Sequence, residues 1–149
     1  MKIRYAHTNI IAKDWKKLSA FYRQVFGCVP VPPGRDMGGE WLDKLTGIGQ
    51  VHVVGEHLAL PGYGENPPTL EIFSYNREGA ESVRDINMFG LAHLAFEVDD
   101  VAAVLQKVME AGGGRVGALV KTEIPGKGLL TIVYARDIEG NIIELQSWS

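Results

Sequence analysis

One cysteine, Cys28, stands among 149 residues, which excludes an internal disulfide and fits a reducing compartment. It directly follows the first predicted helix, where a packing role is expected in place of a reactive thiol. No apolar stretch approaches the roughly 20 residues that a membrane helix requires. The first residues enter a strand pattern by Ile3, unlike a signal-peptide core, so a cytoplasmic location and no membrane partner are expected. Positive charge is scarce as well: 15 Lys and Arg, scattered singly or in pairs, face 18 Asp and Glu for a net charge of −3. Without a clustered basic face, nucleic acid is not an expected partner. Low-complexity tracts are absent, and Gly126-Lys127-Gly128 lacks both the spacing and the following helix of a phosphate-binding loop.

What remains is an ordinary globular composition, 46% hydrophobic and 22% charged, in a chain the length of one domain. Within it one pattern occurs twice. Ala6-His7-Thr8-Asn9-Ile10 and Ala92-His93-Leu94-Ala95-Phe96 each place a histidine in a strand, followed by an Asp-led amphipathic helix ending in glycine. Laid over each other, His7 meets His93, Asp14 meets Asp100, Leu18 meets Val104, Tyr22 meets Val108 and Gly27 meets Gly113, without a gap. A second matching pair follows, Leu70-Glu71-Ile72 and Ile143-Glu144-Leu145. We therefore read a single domain over 1–149, with module one at about 1–76, a linker at about 77–89 and module two at about 90–149.

Alternation predicts a strand over residues 3 to 11 with Tyr5, His7, Asn9 and Ile11 on one face. Asp14 is placed to cap a helix whose Trp15, Leu18, Phe21, Tyr22 and Val25 form one stripe, and Gly27 to stop it. The prolines and glycines of residues 29 to 39 predict a loop, and Glu40 to Leu45 a short helical turn. Strands are predicted over Gln50 to Leu60 and Thr69 to Tyr75, joined by the turn-rich Pro61 to Pro68. Module two repeats this with a strand at Leu91 to Val98, a helix at Asp100 to Ala111, and strands at Ala118 to Ile124, Leu129 to Ala135 and Asn141 to Trp148. The expected fold is α+β: two tandem βαβββ modules forming a cupped mixed sheet with helices on the outer face.

Ile72 and Leu145 belong on the helix-covered side, which turns Glu71 and Glu144 to the other. Buried unpaired carboxylates cost several kcal/mol, so a cation must compensate. No Lys or Arg takes corresponding places in the two modules, whereas two histidines do. Imidazole plus carboxylate is a donor set for Zn, Ni, Co, Fe or Mn, so the repeat admits two readings: one divalent metal cofactor held by His7, Glu71, His93 and Glu144, or hydrogen-bonded structural histidines with solvated glutamates. His52 and His57 have no partner in module two and are taken as surface or structural residues. Phe73 and Tyr75 share the Glu71 face by alternation, as Gln146 and Trp148 share that of Glu144. They are candidate substrate-binding residues, with core packing or a subunit contact as the alternatives.

The sequence also resembles the vicinal oxygen chelate superfamily, which includes glyoxalase I, methylmalonyl-CoA epimerase, extradiol dioxygenases, fosfomycin-resistance enzymes and bleomycin-binding proteins. The likeness covers nearly the whole chain. It is most specific at His7-Thr8-Asn9-Ile10, at Phe21 to Gly27, at His93 to Asp100, and at Asp137-Ile138-Glu139-Gly140-Asn141-Ile142-Ile143-Glu144-Leu145. By that resemblance His7, Glu71, His93 and Glu144 fall on the four metal-ligand positions of a glyoxalase I type site. Dioxygenases and fosfomycin enzymes use three ligands, equivalent to His7, His93 and Glu144, and the epimerase has Gln where Glu71 stands. Glu71 thus tilts the reading toward glyoxalase-like chemistry. The segment from Val31 to Gly55 is longer than in bacterial glyoxalase I, so glutathione is not assumed.

The resemblance implies a metal-dependent lyase or isomerase that moves a proton next to a carbonyl of a small 2-oxo, hemithioacetal or acyl-thioester substrate, with Glu144 or Glu71 as catalytic base. The alternatives are an Fe(II) extradiol-type dioxygenase using His7, His93 and Glu144, and a non-catalytic protein that binds a drug or metabolite. The expected partners are a small-molecule substrate and a second copy of the chain in a homodimer. Exchange of modules between protomers leaves the site within one chain or between two.

Overall fold

The structure is a computed structural model describing residues 1–149. The chain divides into two compact units, Met1–Glu81 and Ser82–Ser149. Each contains one mixed sheet, and together they realise the α+β class and the βαβββ pattern expected from the duplication. No helix is long and apolar enough to cross a membrane.

The first unit opens with β1 (His7–Ile11). It is shorter than the alternation suggests, because its parallel partner β4 (Thr69–Tyr75) offers pairing only from His7 opposite Thr69 onward. Asp14 then caps α1 (Trp15–Phe26), its carboxylate accepting the backbone N–H of Lys17 at 3.1 Å, and this hydrogen bond lowers the Asp14 pKa. Gly27 ends the helix at φ 68°, a left-handed conformation that glycine adopts without strain. The predicted stripe is buried: Leu18, Phe21, Tyr22 and Val25 lie against β4 and β3 (His52–Ala59), where Leu58, Leu70 and Ile72 are fully buried. Each such side chain contributes about 1.5–3 kcal/mol of transfer free energy.

The stretch expected to be a loop is instead a strand, β2 (Val29–Gly38), antiparallel to β3. Its prolines are tolerated because β2 is the edge of the sheet order β1-β4-β3-β2, and an edge strand need not donate on its outer side. Pro32, Pro33 and Gly34 leave the ladder altogether, in a bulge between Val31, paired with His57, and Arg35, paired with Gly55. The short helix α2 (Glu40–Thr46) follows, as expected. Its Leu42 packs with Val51, Val53 and Phe73 on the sheet face opposite α1.

The second unit repeats the plan. β5 (His93–Glu97) runs parallel to β9 (Ile142–Trp148), and Asp100 caps α3 (Val101–Glu110) by accepting the Ala103 N–H. α3 packs on β9 and on β8 (Gly128–Arg136), whose Val133 and Ala135 are buried with Ile143 and Leu145. The edge position taken by β2 is here divided between β6 (Gly114–Arg115), which sequence reading missed, and β7 (Val120–Ile124). The interruption falls at the same rung as the β2 bulge. Val116 donates to the Tyr134 carbonyl and Val120 pairs with Ile132, just as Val31 pairs with His57 and Arg35 with Gly55.

Cys28, just after α1, is buried, and burial pushes its thiol up to about 11, which fits the packing role. At pH 8 that leaves roughly a hundredth of the thiolate present in the unfolded chain. Labelling by a thiol reagent is expected to be about 100-fold slower in the native protein than in denaturant; equal rates would place Cys28 at the surface.

Candidate metal centre

Alternation along β4 sends Leu70, Ile72 and Ser74 toward α1 and Glu71, Phe73 and Tyr75 to the opposite face. The same alternation in β9 buries Ile143 and Leu145 under α3 and turns Glu144 away. Both glutamates are well shielded, with side chains 14% and 13% exposed. Each meets the histidine that opens its own module: His7 Nε2 lies 3.6 Å from Glu71 and His93 Nε2 lies 3.1 Å from Glu144. The parallel pairing of β1 with β4, and of β5 with β9, brings these sequence-distant residues together.

In the first unit a third ligand-type side chain is present. His57, taken from sequence as surface or structural, points its Nε2 at Glu71 from 2.6 Å and packs its ring edge-on to His7 at 5.4 Å. His7, His57 and Glu71 hold their donor atoms within 4.8 Å of one another. Glu71 also accepts Asn9 Nδ2 at 2.8 Å, while His57 Nδ1 meets the Thr69 hydroxyl at 2.8 Å. A metal at Nε2 would replace the contact with Glu71, and Nδ1 would then donate to the Thr69 hydroxyl, the tautomer control typical of ligating histidines. Burial holds the His57 imidazole below its ordinary 6.5, aided by the positive charges of Arg35 and His7 and opposed by Glu71. It is neutral at pH 7, as a ligand must be. Two imidazoles and one carboxylate fit Zn, Ni, Co, Fe or Mn by donor type.

The second unit carries a different residue in the corresponding place. Tyr134 stands opposite Glu144 in the β8–β9 ladder as His57 stands opposite Glu71 in β3–β4. Its hydroxyl hydrogen-bonds Glu144 and its ring lies 5.2 Å from His93. Burial, and then the Glu144 charge, raise the Tyr134 pKa, so it stays a protonated donor. His57 and Tyr134 were both detectable in the sequence. Folding each hairpin about its predicted turn, Pro61 to Pro68 or Asp137 to Asn141, sets them across from the two glutamates.

The remaining candidates occupy the expected faces in different settings. Phe73 is 7% exposed and belongs to the Leu42, Val51, Val53 cluster, with Tyr75 packed at its margin. Phe73 still presents its ring to His57 at 6.1 Å. Gln146 accepts the Trp148 indole N–H at 3.0 Å, and Lys127 Nζ sits 3.9 Å over that indole. His52 is at the outer edge, paired with Asp36 at 2.6 Å and apart from the cluster.

Residues 4–145 match the family model of the glyoxalase/bleomycin resistance protein/dioxygenase superfamily, and the chain belongs to that superfamily. A search of curated proteins gives no match. Among solved structures, a glyoxalase family protein from Bacillus cereus is similar with a TM-score of 0.83 and 18% identity, covering 99% of this chain and 95% of its own. A glyoxalase/bleomycin resistance protein/dioxygenase domain from Frankia is similar with a TM-score of 0.61 and 17% identity, covering all of both chains. The fosfomycin resistance protein FosX of Listeria monocytogenes gives 0.63 and 17%, covering 100% and 96%. A further structure of that Listeria protein contains Mn(II) and sulfate. At these identities the likeness is one of fold. The superfamily contains metal-dependent enzymes of several reaction types together with non-catalytic members, and some of its members bind divalent metals such as manganese.

Proposed function

We propose that this chain is a metal-dependent lyase or isomerase of glyoxalase type, acting on a small 2-oxo, hemithioacetal or acyl-thioester substrate. His7, Glu71, His93 and Glu144 are the proposed ligands, with His57 joining His7 and Glu71 in the first unit. The observation that carries the reading is the shielding of two glutamates, each beside an imidazole on the face away from the helix. Carboxylates placed there by strand register, without Lys or Arg partners, are better suited to a cation than to any structural task visible in the fold.

A divalent ion held by imidazole and carboxylate donors of this kind would supply the polarisation of a substrate carbonyl, which acidifies the neighbouring C–H. The chain's own part is proton transfer. Glu71 or Glu144 takes the proton from carbon and returns it to the adjacent carbon, a general-base contribution of roughly 10²- to 10⁴-fold. Asn9 holds the Glu71 carboxylate and Tyr134 that of Glu144, so either base is aimed before substrate arrives. The test is solvent-deuterium exchange into hemithioacetal and 2-oxo substrates, followed by NMR, with metal-stripped and metal-loaded protein. Exchange is expected only with metal and, at metal concentrations that saturate each variant, is expected to be lost in Glu144→Gln or in Glu71→Gln, whichever is the base. Exchange unchanged in both variants would remove the proposed bases.

A ferrous ring-cleaving oxygenase is the second reading, and the first-unit cluster of two imidazoles and one carboxylate favours it. Oxygen uptake with catechols, abolished when Fe(II) is oxidised in air, would select it.

A further inference from the structure

On the edge strand beside His57 stands a cation that the proton-transfer chemistry leaves unused. Arg35 is the first residue to rejoin the ladder after the Pro32-Pro33-Gly34 bulge, and it pairs with Gly55. Paired residues of an antiparallel ladder share a face, and Gly55 shares one with His57 two residues on. Arg35 is therefore rooted on the face that carries His57, Glu71 and Phe73. It is partly buried, and its guanidinium donates to the Pro33 carbonyl. No carboxylate pairs with it: the first-unit glutamate on this face, Glu71, is taken by His57, His7 and Asn9. A guanidinium has five N–H donors in a planar fork, so most of its capacity is directed at no protein group.

The duplication supplies a comparison within the same chain. The rung equivalent to Arg35 and Gly55 in the second unit is Val120 and Ile132, both apolar. The scaffold does not require a cation at this rung. Arg35 also adds positive charge where a divalent ion is proposed, which is unfavourable unless a negative group joins them. Its charge already acts on His57, in the direction that keeps the imidazole neutral.

We propose that Arg35 binds an anionic oxygen group of the substrate, a carboxylate or a phosphoryl group, next to the His7, His57 and Glu71 cluster. This deepens the proposed function by naming the substrate class: a carbonyl compound that carries a fixed negative charge. Two N–H groups of the fork match two oxygens of either anion.

The test uses the full chain, both metal-free and Mn(II)-loaded, with 2-oxobutanoate and methylphosphonate as anionic probes and 2-butanone as the neutral counterpart, read by isothermal titration and amide NMR shifts. Arg35→Gln is expected to weaken at least one anionic probe by at least about 10-fold, as loss of a charge-assisted hydrogen bond dictates, with 2-butanone unchanged. Arg35→Lys keeps the charge without the fork and is expected to fall between the two. Whichever probe responds separates carboxylate from phosphoryl recognition. Equal anion binding by wild type and Arg35→Gln, or no anion binding by folded wild type, overturns the proposal. The metal-free arm makes the outcomes separable: anion binding that depends on Arg35 in a protein that takes up no Mn(II) refutes the metal reading alone.

Discussion

Replacing Glu71 with Gln is expected to lower Mn(II) or Zn(II) affinity by at least about 100-fold, measured by titration against a competing chelator, while the circular dichroism spectrum stays that of wild type. The substitution keeps the size of the side chain and can still meet Asn9, but it removes the one negative charge among the three clustered donors. Changes to groups that merely orient a ligand already cost 10–100-fold in metal affinity, and Glu71 is proposed to be a ligand itself. Full metal content in Glu71→Gln would mean that the first-unit cluster holds no ion. The same experiment has a defined pH dependence. The folded His57 has a lowered pKa, so the unfolded chain binds its proton more readily. The stability His57 contributes is complete above about pH 6.5 and is lost as pH falls through its lower folded pKa. Thermal melting of metal-free protein should therefore drop on acidification below pH 6.5, and His57→Gln should flatten that part of the profile. Metal affinity falls in the same direction, because protons compete for the imidazoles.

Gly55→Ala is expected to be the most damaging single-carbon change in the first unit, costing more than about 3 kcal/mol and at least about 10 °C in melting temperature. A Cβ at that position would lie 2.0 Å from the Ile72 carbonyl oxygen and 2.6 Å from the Phe73 ring. The oxygen belongs to the β4 backbone and cannot turn aside as a flexible side chain would. Relief requires β3 and β4 to separate at the rung where Phe73 and Gly55 face each other, two rungs from the one that joins His57 to Glu71. Gly64→Ala is the control: nothing lies within 4 Å of its added carbon, and its melting temperature should stay close to wild type. Similar melting of the two variants would refute the close strand approach at Gly55.

These two residues also show where the sequence was and was not readable. Glu71 was found because its signal is local: a polar residue between two apolar ones in a β-rich run, repeated at Glu144. α1 and α3 were legible for the same reason, since Asp14 and Asp100 cap them and the apolar stripes recur at helical spacing. His57 carries no such mark. Its role arises from which residue it faces across a hairpin, a relation between two strands that no periodicity within one of them contains. Pro30, Pro32 and Pro33 weigh against a central strand, so the sequence predicts a loop where β2 runs, and nothing in the sequence marks that strand as an edge. Phe73 was a pocket candidate by alternation, and the structure gives it mainly a packing partner in Leu42, because α2 folds over that end of the sheet face.

The kink that interrupts both edge strands at the same rung has a consequence for how the halves came to differ. Inward of it, each position is tied to a neighbour by main-chain pairing and tolerates little variation in backbone. At the rung just beyond it, a guanidinium in one half and an isopropyl group in the other are accommodated by the same frame. A duplicated scaffold of this kind can diversify what it recognises one outlying side chain at a time, while the machinery at its centre stays in register.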